Sequence, residues 1–306
     1  MPITAFPADL FAPERRHLFV FSHQDDEIMY TGLIQRVGPE TDFLWVTNGD
    51  GLAPFENADP EEYAAIRIAE TDAVLTTLGR PLSRRRNIEE SEIRIYDHFV
   101  ELTLNPANKT AVIDYFHVLG NKVYQEIKRL KPEVIWTSAF QNGHPEHDLV
   151  HILTALSLRQ LAREDGYAPR FYHLPQYEYT ILIPHRFHPM YKGAIHEIRL
   201  NDEELNLKVK AFSCYPSQVK LFNSFEKVIN RLGFAARLVG KGFSAESFLR
   251  RETFSPVDLQ TMDYTRSTHW FEWANYMMDK HKNIKVRFDR HLAVIADELA
   301  KRDFEG

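Results

Sequence analysis

A chain of 306 residues, 44% hydrophobic and 26% charged, has the size and balance of one large α/β domain, or of one such domain with a small appendage. The net charge of −6, without a long basic run, excludes the electrostatic footprint that nucleic acid requires, and no apolar stretch has the length of a membrane span or a signal-peptide core. The one cysteine, Cys214, excludes an intrachain disulfide and fits a reducing compartment, so a soluble cytoplasmic protein is expected.

Residues 1–16 read as an irregular lead-in. His17–Ser22 is short, mostly apolar and bounded by charge, the pattern of a buried strand. It ends in His23-Gln24-Asp25-Asp26-Glu27, and a helix over about 27–36 follows. The plainer reading of this acidic turn is a helix cap, with Asp25 or Asp26 as N-cap and Glu27 in the first turn. Asp42–Thr47 reads as a second strand, closed by the tight loop Asn48-Gly49-Asp50-Gly51. That loop is a turn in the plain reading and a frame for the His23 crevice in the functional one. Strand, helix and strand of these lengths imply a right-handed βαβ unit. The next helix, Glu61 to Leu78, opens on Asp59-Pro60 and stops at Gly79, and it carries Arg67 and Glu70 at a spacing that lets them pair. Arg84-Arg85-Arg86 falls in an expected polar loop over 80–92, and Glu92–Asp97 alternates like a short strand ending in Asp97.

A long helix, Thr110 to Leu130, precedes Lys131-Pro132 and a buried strand, Val134–Ser138. The loop after it delivers Gly143-His144-Pro145-Glu146-His147-Asp148 into a helix through Arg163. Phe171–His173 and Tyr177–Ile183 read as two more strands, and a helix capped by Asn201 or Asp202 runs to about Tyr215. Residues 217–253 read as helical and irregular. Two amphipathic helices, Phe271–Lys280 and Val286–Leu299, are expected near the C-terminus; they cap the crevice, form a homo-oligomer surface, or pack on the main core. The expected architecture is α/β: a Rossmann-like, mostly parallel sheet flanked by helices over 1–253, with a helical C-terminal extension over 254–306 packed on it.

Two strand ends therefore each deliver histidine and carboxylate just before a helix, where open α/β sheets bind ligands. His23, Asp26 and His147 form the three-ligand set that a catalytic zinc takes while keeping a fourth position open; the set suits Fe(II), Co(II) or Ni(II) equally. Asp25 stands beside such a metal without being needed as a ligand and is placed to accept a proton from activated water. His144 is left over, to hydrogen-bond a developing oxyanion or protonate a leaving amine, with Glu146 or Asp148 as its orienting carboxylate. Each residue alone has a duller reading at a helix start; the joint pattern is the specific signal.

On these residues the sequence resembles the LmbE-like, or PIG-L, family of metal-dependent N-deacetylases. The family's His-Pro-Asp-Asp-Glu and His-Pro-Asp-His stand here as His23-Gln24-Asp25-Asp26-Glu27 and His144-Pro145-Glu146-His147. The similarity extends to Thr47–Gly51, to Arg67 and Glu70 with Leu78-Gly79, to Lys210, Ala211, Tyr215, Ser217 and Gln218, and to Ala245–Phe248. The resemblance implies His23, Asp26 and His147 as metal ligands, Asp25 as general base and His144 as the group that stabilises the tetrahedral intermediate. It implies Arg67 and Asp97 as positions that hold substrate hydroxyls, and Asn48, in the loop that frames the crevice, is a further candidate for binding substrate. The implied activity is that of a zinc-dependent hydrolase of linear amides, with Fe2+ or Co2+ as other metals, removing an N-acyl group, in first place N-acetyl, from a small-molecule amino sugar or conjugate. Gln24 replaces the family's proline and Glu146 its aspartate, and neither change removes a ligand. The rival reading is a non-catalytic sugar- or nucleotide-binding protein on the same fold. A dinucleotide-dependent enzyme is disfavoured, because acids stand after the first strand where a glycine fingerprint belongs.

Overall fold

Strands buried on both faces read as near-continuous apolar runs, and three of the strands here do so. β1 (His17–Phe21), β2 (Thr41–Thr47) and β4 (Val134–Ser138) are buried at every residue. The computed structural model describes residues 3–178, 185–237, 244–268 and 275–305. In chain order the remaining elements are α1 (Thr31–Arg36), α2 (Ala53–Glu56), α3 (Pro60–Thr77), β3 (Arg85–Glu90), α4 (Glu92–Leu104), α5 (Lys109–Leu130), α6 (Pro145–Asp165) and β5 (Arg170–Leu174). After these come β6 (His196–Arg199), α7 (Asp202–Phe212), α8 (Val219–Arg237), α9 (Ala245–Leu249), β7 (Arg251–Pro256), β8 (Asn275–His281), β9 (Ile284–Arg287) and α10 (Ala293–Leu299).

The main sheet has seven strands in the order β3-β2-β1-β4-β5-β7-β6. β1 to β5 run parallel, with Phe19 opposite Phe43 on one side and Trp136 on the other, whereas β7 runs antiparallel to both β5 and β6. The chain builds outward from β1 through β2 to β3, then returns to the opposite side of β1 with β4. The order therefore reverses between β1 and β4, and the carboxyl ends of those two strands flank a crevice.

Strand alternation divides the core between the two faces. Leu18, Val20, Leu44, Val46 and Ile135 pack against Phe99 of α4, Phe116 of α5, Leu153 of α6 and Ile295 of α10. Phe19, Phe21, Phe43, Trp45 and Trp136 pack against Leu33 of α1, Leu75 of α3 and Leu205 of α7. A fully buried ion pair pins the second face: Lys208 of α7 and Glu252 of β7 meet at 2.8 Å. Lys208 also donates to the Met29 carbonyl, while the Glu252 carboxylate accepts the backbone N–H groups of Gly32 and Leu33. The start of α1, just behind the acidic turn, is thus held from two sides.

Four expectations are corrected. The loop expected over 80–92 contains the edge strand β3, whose arginines are neutralised by Asp42 and Asp72. Glu92–Asp97 is not a strand but the start of α4, where Ser91 caps the Arg94 N–H and Ile95 and Phe99 fall on one buried face. Residues 275–281 form β8 rather than a helix, and pair with β9 through a two-residue turn in which Lys282 and Asn283 both take positive φ, at 47° and 66°. The helix expected over Val286–Leu299 is shortened, because β9 continues through Arg287 and a π-type turn over Phe288–Leu292 leads into α10. The strand expected over Tyr177–Ile183 lies outside the described residues from 179 onward. The boundary expected between 253 and 254 falls inside β7, and Val286, Phe288, Leu292 and Phe304 join the core of the main unit.

Candidate functional site

The turn after β1 is shaped by Asp26. One carboxylate oxygen, Oδ2, accepts the backbone N–H groups of Ser22 and His23 at 2.9 and 3.0 Å. The other, Oδ1, lies 3.0 Å from His147 Nε2 and 3.8 Å from His23 Nδ1. His23 Nδ1 is in turn 3.1 Å from His147 Nε2. Two ring nitrogens and a carboxylate oxygen from two distant loops therefore converge on one point.

Asp25, just before Asp26 in the first loop, is strained. Asp25 has φ 118°, well outside the regions a side-chain-bearing residue prefers, and Asn142 in the second loop also takes positive φ. The Asp25 carboxylate meets the Arg67 guanidinium at 2.9 Å. Burial nevertheless pushes the Asp25 carboxyl up to about 7, with the Arg67 charge pulling the other way and Asp26 adding to the rise. Arg67 also donates to the Gln24 carbonyl and to Ser217 Oγ, and its guanidinium lies over the Tyr215 ring. Gln24 is buried, and its side-chain amide donates to the Thr47 carbonyl at 2.8 Å, so the residue that departs from the family pattern ties the β1 turn to the end of β2. Gly49 permits this closeness: a Cβ there would lie 2.7 Å from Gln24 Oε1 and 2.9 Å from Arg67 Cβ, at a φ of 82°.

The second loop enters α6 through His144, Pro145, Glu146 and His147. Gly143 lets the Tyr177 backbone approach to where a Cβ would sit, and the Tyr177 ring stacks on His147 with an interplanar angle of 3°. Asp148 fixes the loop by accepting the Gln141 and Asn142 N–H groups and the Tyr276 hydroxyl. Glu146 does not orient His144 as expected. Its Oε2 lies 2.9 Å from His23 Nε2 but 3.8 Å from His144 Nδ1. The His23 ring is thereby held with Nδ1 toward the convergence point. Burial works against the charged His23 ring, yet Glu92 and Glu146 hold its pKa well above the usual value. His144 goes the other way: burial, with His23 and His147 adding to it, keeps its ring neutral.

The donor set fits a divalent metal ion. His23, His144 and His147 each offer a nitrogen within 4.8 Å of the others, and His23, Glu92 and Glu146 form a second such group. Among the described residues His144 Nδ1 and Glu146 Oε1 are buried without a hydrogen-bond partner, which is costly unless something binds there. Nitrogen-rich donors with one carboxylate suit zinc and neighbouring first-row metals.

His23, Asp25, Asp26, Arg67, His144 and His147 are brought together. Asn48 is at the margin: its side chain accepts the Asp50 N–H and its own N–H bonds to the Glu90 carbonyl. Asp97 is not brought to the site; it pairs with His281 at 2.6 Å and with Lys282 at 2.7 Å, against the β8–β9 turn. Because α4 begins at Glu92, that residue takes the crevice position instead, buried and accepting the Thr47 hydroxyl at 2.9 Å. The signal for Glu92 was Ser91 as an N-cap, which starts a helix rather than a strand.

A doubly wound sheet with a histidine–carboxylate candidate metal site at its reversal point defines an α/β protein of the metal-site class. Residues 18–156 match the family model described as PIG-L, GlcNAc-PI de-N-acetylase. Over that segment, which is under half of the chain, the sequence is similar to the PIG-L, or LmbE-like, deacetylase family. Among solved structures the fold is similar to N,N'-diacetylchitobiose deacetylase from Pyrococcus horikoshii, at a TM-score of 0.54 and 16% identity over 83% of this chain and 87% of that one. It is also similar to the A40926 pseudoaglycone deacetylase, at 0.53 and 16% over 81% and 99%. A third is the zinc-inhibited form of a teicoplanin deacetylase, at 0.50 and 14% over 79% and 97%. No curated protein matches the chain in sequence. Among the described residues no helix is long and apolar enough to cross a membrane.

Proposed function

We propose that this protein is a metal-dependent hydrolase that removes an N-acyl group from an amino sugar or amino-sugar conjugate. The observation that carries the reading is the convergence of His23 Nδ1, His147 Nε2 and Asp26 Oδ1, with the Asp25 carboxylate on the adjoining residue. In this reading His23, Asp26 and His147 hold a divalent cation, zinc in first place. A cation bound there supplies Lewis acidity toward an amide carbonyl and acidifies bound water.

The remaining steps belong to the chain's own groups. Asp25, with a carboxyl raised to about 7, accepts the proton of the attacking water and returns it to the departing nitrogen. Arg67 holds that carboxylate in place, so its part is to position Asp25 rather than to hold a sugar hydroxyl. His144, kept neutral by burial, presents a ring N–H to the oxygen that becomes negative at the tetrahedral stage. Glu146 fixes the His23 ring, as carboxylates commonly do for metal-bound imidazoles. Glu92, at the start of α4, and Asn48, after β2, are the groups on the β2 side of the crevice for holding substrate hydroxyls. The protein works in the aqueous cytoplasm on small molecules.

The test is amine release from N-acetylglucosamine conjugates by the zinc-loaded protein. Asp25→Asn is expected to lower the rate by roughly 10²–10⁴-fold while keeping the metal. His144→Ala should cost about 10²–10³-fold through loss of oxyanion stabilisation. Unchanged rates in both variants would contradict the assignment.

A further inference from the structure

A cavity of ≈ 410 Å³ opens beside the convergence point and shares Asp25 and Asp26 with it. Its volume falls within the ~300–1,000 Å³ of ordinary small-molecule sites. Most of its lining surface is apolar, from Leu205, Val209 and Phe212 of α7, Phe222 and Ile229 of α8 and Phe248 of α9, and polar side chains, among them Gln176, His185, Asn223 and Glu226, share it. Val209 is 53% exposed, which places the cavity's mouth at the surface of α7. Asn48, after β2, and Glu92, at the start of α4, do not line this cavity.

We propose that this cavity receives the aliphatic chain of the N-acyl group, so that the preferred substrate carries an acyl chain longer than acetyl. The cavity, at ≈ 410 Å³, has room for an aliphatic chain well beyond the two carbons of acetyl. Hydrolysis breaks the amide C–N bond, adds the water oxygen to the carbonyl carbon, and leaves a fatty acid in the cavity while the protonated amine departs. The choice of chain rests on the hydrolase reading given above; the apolar character of the cavity does not.

Two measurements separate the claims. The first compares amine release from N-acetyl- and N-octanoylglucosamine by the metal-loaded protein, with octyl N-acetylglucosaminide as the alternative placement of the same chain. The expected result is a kcat/KM about tenfold or more higher for the octanoyl amide, since each buried methylene adds binding. Val209→Trp, which fills the mouth, should remove the difference between acetyl and octanoyl substrates. Equal or lower kcat/KM for the octanoyl amide, or a gain confined to the octyl glycoside, would overturn the proposal. The second titrates octanoate, below its micellar range, into the full-length protein by calorimetry. Saturable binding that Val209→Trp abolishes supports the cavity assignment even if no amide is cleaved. Absence of octanoate binding would overturn it, whatever the hydrolase assays give.

Discussion

At the scale of single residues, the site is ordered by which oxygen or nitrogen each side chain has left over. Asp26 commits one oxygen to two backbone amides and keeps the other for the centre. The two motif copies made His23, Asp26 and His147 legible, because a histidine and an acid at a strand end are conspicuous even without coordinates. The partner of Glu146 was not legible. Residues two apart at a helix start do not face each other, so Glu146 reaches across to the β1 turn and leaves His144 to others. Glu146→Ala is therefore expected to weaken metal affinity by about 10–100-fold, read by competition with a chelator, with His144 geometry unaffected. An unchanged affinity would show that Glu146 plays no part in holding His23.

At the scale of elements, the helices and buried strands around the crevice were readable from apolar period and caps, whereas the edge and the C-terminal region were not. β3 hides behind its two arginines, Arg85 and Arg86, because an edge strand carries charge. In α4, Ile93 and Ile95 mimic strand alternation, but Glu92, Ile95 and Phe99 supply the buried helical face. The β8–β9 turn uses Lys282 and Asn283 at positive φ instead of the recognisable Asn-Gly. The start of α1 depends on the Lys208–Glu252 pair, whose partners no local pattern reveals. Lys208→Met leaves the Glu252 carboxylate buried without its cation and should cost about 3–5 kcal/mol of stability in urea unfolding. A loss below about 1 kcal/mol would mean that the backbone amides of Gly32 and Leu33 suffice to hold Glu252.

At the scale of the whole molecule, the sheet order places the β1 and β4 loops at one reversal point, and the two faces of the core hold them in register. The buried histidines away from the site give this core a pH dependence. Burial lowers His17 to about 4, and burial likewise lowers His151 to about 4. An unfolded histidine titrates near 6.5, so between about pH 6.5 and 4 the unfolded chain binds more protons than the native one. Stability is full above that window and falls through it, by up to about 3 kcal/mol for each ring. Urea midpoints measured from pH 7.5 down to 5 should decline, and less steeply in His151→Phe; a flat wild-type midpoint would contradict neutral burial of these rings. The most direct measurement of all is the metal content of the purified protein by elemental analysis, beside that of Asp26→Ala. The expected result is about one equivalent of a divalent first-row metal in the wild type and its loss in the variant. A folded wild type that takes up no metal on reconstitution, or a variant that retains it fully, would contradict a metal centre built on His23, Asp26 and His147.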